Sequence, residues 1–383
     1  MITTINNKHK KLNVPNLRFK EFQGEWEKTK FGDIVIVVGG GTPDTNTSQY
    51  WNGKIQWFTP SEIGRNKYVY NSVRTISEEG LNKSSAKLLP IGTILLSSRA
   101  TVGECSINKK ECTTNQGFQS LIPKENISNE FVYYLIQTKR KDLIRKSCGS
   151  TFLEISANEV RKIVVSIPTI KEQDKIAKLL SLLDERIATQ NKIIEDLKKL
   201  KSAISENLFK AVKGDVVILY EICEIIKGKQ INGEFLSEKG KYYVMNGGTE
   251  PSGYYSDYNV EANTISISEG GNSCGYVQFN SSPFWSGGHC YTIQKIADNV
   301  DNLYLYHYLK SHEDVIMKLR IGSGLPNIQK KDLAMFKIKL PTVEQQKSIS
   351  TFLSSLERKA EIEEMLLNAM KKEKQYLLRQ MFI

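Results

Sequence analysis

The chain is poor in the residues that usually hold metals or attack substrates: 383 residues contain four histidines and six cysteines. Cys105, Cys112, Cys148, Cys223, Cys274 and Cys290 form no C-x-x-C pair and fall at no zinc-ligand spacing, so reduced core thiols are expected. His289 beside Cys290 is the nearest approach to a ligand pair and reads as a core pair. The longest aliphatic run, Ile34–Val38, is far too short to span a bilayer. The start, MITTINNKHKKLNVPN, has no apolar leader segment, so a cytoplasmic protein is expected. No Walker A sequence occurs, and Gly39-Gly40-Gly41 reads as a turn rather than a dinucleotide fingerprint. Ser282-Pro283-Phe284-Trp285 lacks the second proline of the motif with which amino-methyltransferases hold a target amine, and no glycine-rich cofactor loop precedes it. Glu373-Lys374 is an isolated match to a nuclease carboxylate–lysine pair and lies in a helical stretch. Catalytic, cofactor and metal residues are therefore expected to be absent from this chain.

What is abundant is helical periodicity, and it occurs twice. Ile176, Leu180, Leu183, Ile187, Gln190, Ile194, Leu197, Lys201, Ile204 and Leu208 alternate in steps of four and three, the seam of a long helix that needs a helical partner. Adding 173 to each gives Ile349, Leu353, Leu356, Ala360, Glu363, Leu367, Met370, Lys374, Leu377 and Met381. Gly149–Phe209 and Gly322–Phe382 align without a gap over 61 positions with 14 identities, including Ser150/Ser323, Pro168/Pro341, Gln173/Gln346 and Phe209/Phe382. The chain is an internal duplication.

Its plan is globular–helix–globular–helix: an N-terminal arm at 1–16, a globular segment at 17–168, a helix at 169–209, a second globular segment at 210–340 and a final helix at 341–383. Strand-like runs at Ile34–Val38, Lys54–Thr59 and Gly92–Leu96 precede a helix from about Asn129 to Lys146, with Phe131, Leu135, Ile136, Leu143 and Ile144 on its apolar side. The second segment repeats the order, with Thr264–Ser268 matching Thr93–Ser97 and a helix opening at Asn302. The fold class is α+β: two mixed α/β globular domains related by a pseudo-twofold, separated by an antiparallel coiled coil of two long helices. Such a dyad suits two separated stretches of duplex, and equally a dimerisation stalk. Residues 1–168 carry 24 basic against 15 acidic side chains, whereas 210–340 carry 14 of each. A basic excess suits a polyanion and also suits plain solubility.

These features resemble the specificity (S) subunit of type I DNA restriction–modification systems over essentially the whole chain. The resemblance rests on Leu17-Arg18-Phe19 with Gly24-Glu25-Trp26, Gly41-Thr42-Pro43 with Ile55-Gln56-Trp57, Gly92–Ser98, and the Pro-Thr and Gln before each helix. In the second half it rests on Asn263–Gly271, Cys274-Gly275 and Phe284-Trp285 through Gly288–Tyr291. It implies a non-catalytic subunit with two target-recognition domains, each reading half of a split DNA sequence. The helices would act as a ruler and as the platform for two modification subunits. Those partners would bring S-adenosylmethionine and methylate adenine N6, and restriction subunits would bring ATP and magnesium for cleavage. No membrane partner is implied. By their chemistry, the DNA-contacting candidates are Thr42, Asn46, Gln49, Arg65, Ser98 and Arg99 in the first domain. In the second they are Lys227, Lys229, Gln230, Asn246 and Asn272. The spacer residues are Ile176, Leu180, Leu183, Ile187, Ile194, Leu197, Ile349, Leu353, Leu356, Leu367, Met370 and Leu377. From the residues alone, a duplicated scaffold for protein partners is the competing reading.

Overall fold

A computed structural model describes residues 2–4, 12–149, 153–322, 324 and 326–383. The Ser150/Ser323 pair lies outside them. The contacts divide the chain into two units, Met1–Thr189 with Leu367–Ile383, and Gln190–Leu366. We call them unit 1 and unit 2.

Unit 1 is built on a five-stranded sheet. Its strands lie in the order Val35–Gly39, Gln119–Pro123, Ile94–Leu96, Cys105–Asn108, Tyr68–Val69. Ile94, Leu95 and Leu96 are all buried, because this central strand is covered on both faces. The helix Asn129–Arg145 packs on the sheet through Phe131, Leu135, Ile136 and Leu143, whereas Ile144, expected on the same face, is 40% exposed. A separate three-stranded sheet places Trp51–Phe58 between Cys112–Thr114 and Arg74–Ile76. Within the stretch expected to be an arm, Ile2–Thr4 pairs antiparallel with Leu17–Phe19.

Unit 2 repeats this plan. Its four-stranded sheet runs Glu224–Lys227, Cys290–Gln294, Thr264–Ser268, Val277–Asn280, the same order of equivalents less the edge strand Tyr68–Val69. Its three-stranded sheet sets Tyr242–Met245 between Gly253–Tyr255 and Trp285–Ser286. The helix equivalent to Asn129–Arg145 is broken at His312 into Asn302–Ser311 and Glu313–Met317.

The repeated residues repeat their contacts. Gln173 donates to the carbonyl of Pro168 at 2.9 Å and accepts from the Ser128 N–H at 3.0 Å, at the start of the packed helix. Gln346 does the same with Pro341 at 2.9 Å and Asp301 at 2.8 Å. Phe382 stacks on Phe131 in unit 1, and Phe209 meets Tyr304 edge-on in unit 2. Pro168, Gln173 and the closing Phe thus fasten each packed helix to its unit.

Two long helices, Ile170–Ala211 and Val343–Gln380, contribute to both units. In unit 1 the stretch up to Thr189 lies antiparallel to 367–383: Asp184 pairs with Lys374 at 2.6 Å, while Glu172 and Phe382 both meet Trp26. Ile176, Leu180 and Met370 are buried there, with Leu367 8% exposed, and Leu183, Ile187 and Leu377 are half-buried. In unit 2, Gln190 donates to Glu363 at 2.6 Å and Lys201 pairs with Glu357 at 2.6 Å, again antiparallel. Ile194 and Leu353 are buried, and Leu197, Ile349 and Leu356 half-buried. Since 184 and 357 differ by 173, as do 201 and 374, one ion pair occurs twice, once in each unit. The polar interruptions of the seam are therefore paired groups.

Five cysteines are buried and free, and burial pushes their thiols above the usual range. Cys148, expected in the core with them, is exposed.

Candidate nucleic-acid interface

In unit 2 Lys227 ends the strand Glu224–Lys227, and the other four candidates sit on loops tied to a common segment, Ser286–Cys290. The turn after Glu224–Lys227 is fixed by Gly228 N–H to the Cys290 carbonyl at 2.9 Å and Lys229 N–H to the Ser286 carbonyl at 2.8 Å. A Cβ on Gly228 would lie 2.2 Å from the Gly287 carbonyl oxygen, so this backbone approach requires glycine. Lys229 and Gln230 are exposed beside it. Asn246, half-buried at the end of Tyr242–Met245, accepts from the His289 N–H at 3.1 Å. The loop after Thr264–Ser268 joins through Glu269 N–H to the His289 carbonyl at 2.9 Å, and it carries the exposed Asn272.

The sequence reading missed the group at the centre of these loops, Glu269. Its side chain is 9% exposed and accepts through Oε1 from Lys227 Nζ at 2.5 Å and the Tyr291 hydroxyl at 3.0 Å. Oε2 is buried and has no hydrogen-bond partner; His289 Nδ1 stands 3.7 Å away. His289 is 63% exposed, so it is not half of a core pair; only Cys290 is core. A signal was present in the sequence: an acidic residue immediately before Gly270-Gly271, where a fully buried strand opens into a loop.

In unit 1, Thr42 donates to Gln116 at 2.5 Å, and Ser98 N–H donates to the Gly117 carbonyl at 2.8 Å. These two candidates therefore meet the same segment. Arg99 is ion-paired to Glu154 at 2.8 Å. Asn46 and Gln49 are held elsewhere: the Asn46 N–H donates to Asp44, and the Gln49 carbonyl accepts from Ser77. Arg65 is exposed in a turn whose Gly64 N–H donates to Ser106. Ser98 is a correction, because it is fully buried and its hydroxyl presents nothing to a duplex in this conformation.

Several backbone bonds of the two clusters correspond. Gly117 carbonyl–Ser98 N–H and Ser98 carbonyl–Ile155 N–H correspond to His289–Glu269 and Glu269–Ile328. Gly41 N–H to the Thr114 carbonyl corresponds to Lys229 N–H to the Ser286 carbonyl. Gly39 pairs with Gln119 as Lys227 pairs with Tyr291. Gly40 is as constrained as Gly228, its Cβ position lying 2.0 Å from the Asn115 carbonyl oxygen. One backbone frame thus presents Gly39, Ser98 and Gly117 in unit 1, and Lys227, Glu269 and His289 in unit 2.

Among the described residues no three His, Cys, Asp or Glu side chains gather to hold a metal ion, and no helix is long and apolar enough to cross a membrane.

A mixed α/β unit used twice, each time with polar loops gathered around one small sheet and with antiparallel helix segments, defines a duplicated recognition module. The chain belongs to the family of the type I restriction modification DNA specificity domain, whose model matches residues 23–199 and again 212–372. The general role of that family is DNA target recognition without catalysis, within a restriction–modification system. Over 189 residues the chain is 39% identical to the type I restriction enzyme MjaIX specificity subunit of Methanocaldococcus jannaschii. That alignment covers 48% of this chain and only 44% of the relative. The putative MjaX specificity subunit of the same organism is 26% identical over 407 residues, covering 92% of each. The fold is similar to the crystal structure of the type I restriction–modification S subunit from M. genitalium, with a TM-score of 0.65 at 19% identity over 97% of this chain and 99% of that one.

Proposed function

We propose that this chain is the non-catalytic, sequence-reading subunit of a cytoplasmic type I restriction–modification complex, each unit reading one half of a bipartite, asymmetric DNA target. What supports this reading is the duplicated loop frame carrying different side chains at equivalent positions, as two unlike half-sites require. Arg and Lys suit guanine, and Asn and Gln suit adenine, through bidentate major-groove bonds, while other lysines meet phosphate. On this reading Thr42, Asn46, Gln49, Arg65, Arg99, Lys227, Lys229, Gln230, Asn246 and Asn272 supply the polar surface around the duplex. The long helices set the spacing between half-sites and dock two modification subunits. Exposed apolar residues support docking: Leu182 and Leu200 on the first helix, Ile362, Met365 and Tyr376 on the second. S-adenosylmethionine then belongs to the modification subunits, and ATP and magnesium to the restriction subunits.

The test is to map adenine methylation across the genome of cells expressing this chain with its modification subunits. A split motif methylated in both halves is the expected outcome. An unmodified genome despite a stable complex refutes the reading in favour of a protein scaffold. Spacing has its own test: seven residues inserted into both long helices add roughly 10 Å. The gap in the motif then widens by about three base pairs.

A further inference from the structure

Among the described residues, the Glu269 carboxylate is a buried charged group with one oxygen left without a hydrogen bond. A carboxylate at least nine-tenths buried is costly unless all its acceptor positions are used. Glu269 uses one oxygen and leaves the other without a hydrogen bond. Of the groups beside it, Tyr291 is buried, whereas Lys227 at 51% exposure and His289 at 63% reach the surface. The backbone beside it is Gly270-Gly271 and Gly287-Gly288, so no fixed side chain of those residues walls the oxygen off. Lys227 and His289 are thus the exposed side chains that stand between Oε2 and solvent on this side.

The equivalent place in unit 1 gives an independent reason to regard it as a site. Ser98 Oγ and Gln119 Oε1, which stand where Glu269 and Tyr291 stand, are also buried without partners. The same point of the frame leaves polar atoms unsatisfied in both units, although the residues differ. In unit 1 the place is closed, since Ser98 is fully buried, whereas in unit 2 it holds a charged group beside two exposed side chains.

We propose that Glu269 is a specificity-determining residue of unit 2, its Oε2 accepting a hydrogen bond from the exocyclic amine of a base in the major groove. Cytosine N4 and adenine N6 both present such an amine, and a carboxylate accepts from it while repelling the acceptors O6 of guanine and O4 of thymine. Lys227 leaves Glu269 for a neighbouring phosphate as the base arrives, so the charge of the carboxylate is not left facing the backbone of the DNA alone. The inference rests on the proposed reading of DNA by unit 2, and adds which atom reads and what it reads.

The experiment uses the full complex with its modification subunits and duplexes carrying the mapped motif. In the half-site assigned to unit 2, each cytosine or adenine amine is removed in turn, by 2-pyrimidinone or purine respectively. For the wild-type complex, loss of the amine at one position is expected to weaken binding by about tenfold. In Glu269→Gln, which keeps an acceptor for Tyr291, that penalty disappears, and the methylation motif relaxes at that one base pair. A wild-type complex for which no amine in that half-site matters overturns the proposal even if the variant does not fold. A Glu269→Gln complex with an unchanged motif, or with affinity lowered equally for every sequence, overturns it too. Absence of sequence-specific binding by the wild-type complex overturns the broader reading instead, so the two failures are distinct.

Discussion

Units 1 and 2 share a backbone and differ in what they hang on it. The strand order, the Gln clamp, the stacked Phe and the helix-to-helix ion pair recur with nearly constant offset. Several backbone bonds of the loop frame recur, yet Gly39, Ser98 and Gly117 give way to Lys227, Glu269 and His289. Because the frame is held by backbone bonds, the side chains on it are free to change without unfolding it. The same freedom shows in charge: residues 1–168 carry +9, whereas 210–340 are neutral. On the proposed reading, a shared frame with different side chains is how one fold would serve two half-sites.

The largest expected difference lies where unit 1 has something that unit 2 lacks. Glu172 forms a bidentate, buried ion pair with Arg18, with both bonds at 2.8 Å, and accepts from the Trp26 indole. Its equivalent in unit 2, Gln345, is exposed. Glu172→Ala leaves the Arg18 guanidinium buried without its partner and costs about 3–5 kcal/mol. Gln345→Ala costs within about 0.5 kcal/mol, as a surface change does. Urea unfolding of the two variants checks this. Equal losses would show that the Arg18 cluster is no more than a surface contact.

A second difference titrates. Tyr134 in unit 1 approaches Ser181, and at the equivalent place in unit 2 His307 bonds Ser354 at 2.9 Å. Burial pushes the His307 imidazole down to about 4 and Lys201 adds to this, while Glu357 opposes it. The unfolded chain takes up its proton near 6.5, the folded one only near 4, so stability is full above 6.5 and is lost as the pH falls through that window. From pH 7 to pH 5 the loss from this group is about 2 kcal/mol. His307→Tyr, which copies unit 1, removes that slope; an unchanged slope in this variant would assign the pH dependence to other groups.

What the sequence revealed and what it hid follow from distance along the chain. Seam positions such as Ile176 and Leu353 were legible because helical periodicity is local and long. Gln173 and Gln346 were visible as a repeat, but their bonds to Pro168 and Pro341 were not. At the interface, loop polarity pointed to Lys229 and Asn246, but burial depends on contacts far away in sequence. Hence Ser98, polar and in a glycine-containing loop, turned out to be fully buried, and Glu269 was overlooked. His289 and Cys148 erred the other way, since no local pattern distinguishes an exposed His or Cys from a core one.

The smallest effect tests the frame most directly. Lys229 projects from a turn whose counterpart in unit 1 is Gly41, where a Cβ would lie 2.4 Å from the Ala86 nitrogen. Unit 1 therefore cannot accept the side chain that unit 2 carries, whereas unit 2 can lose it. Lys229→Ala is expected to leave stability within about 0.5 kcal/mol of wild type. If Lys229 meets phosphate, affinity falls by a similar factor for cognate and scrambled duplexes, and the slope of log affinity against log salt drops by about one. A loss confined to the cognate duplex would make Lys229 a base reader. The two units would then differ in reading residues at a second position besides Glu269.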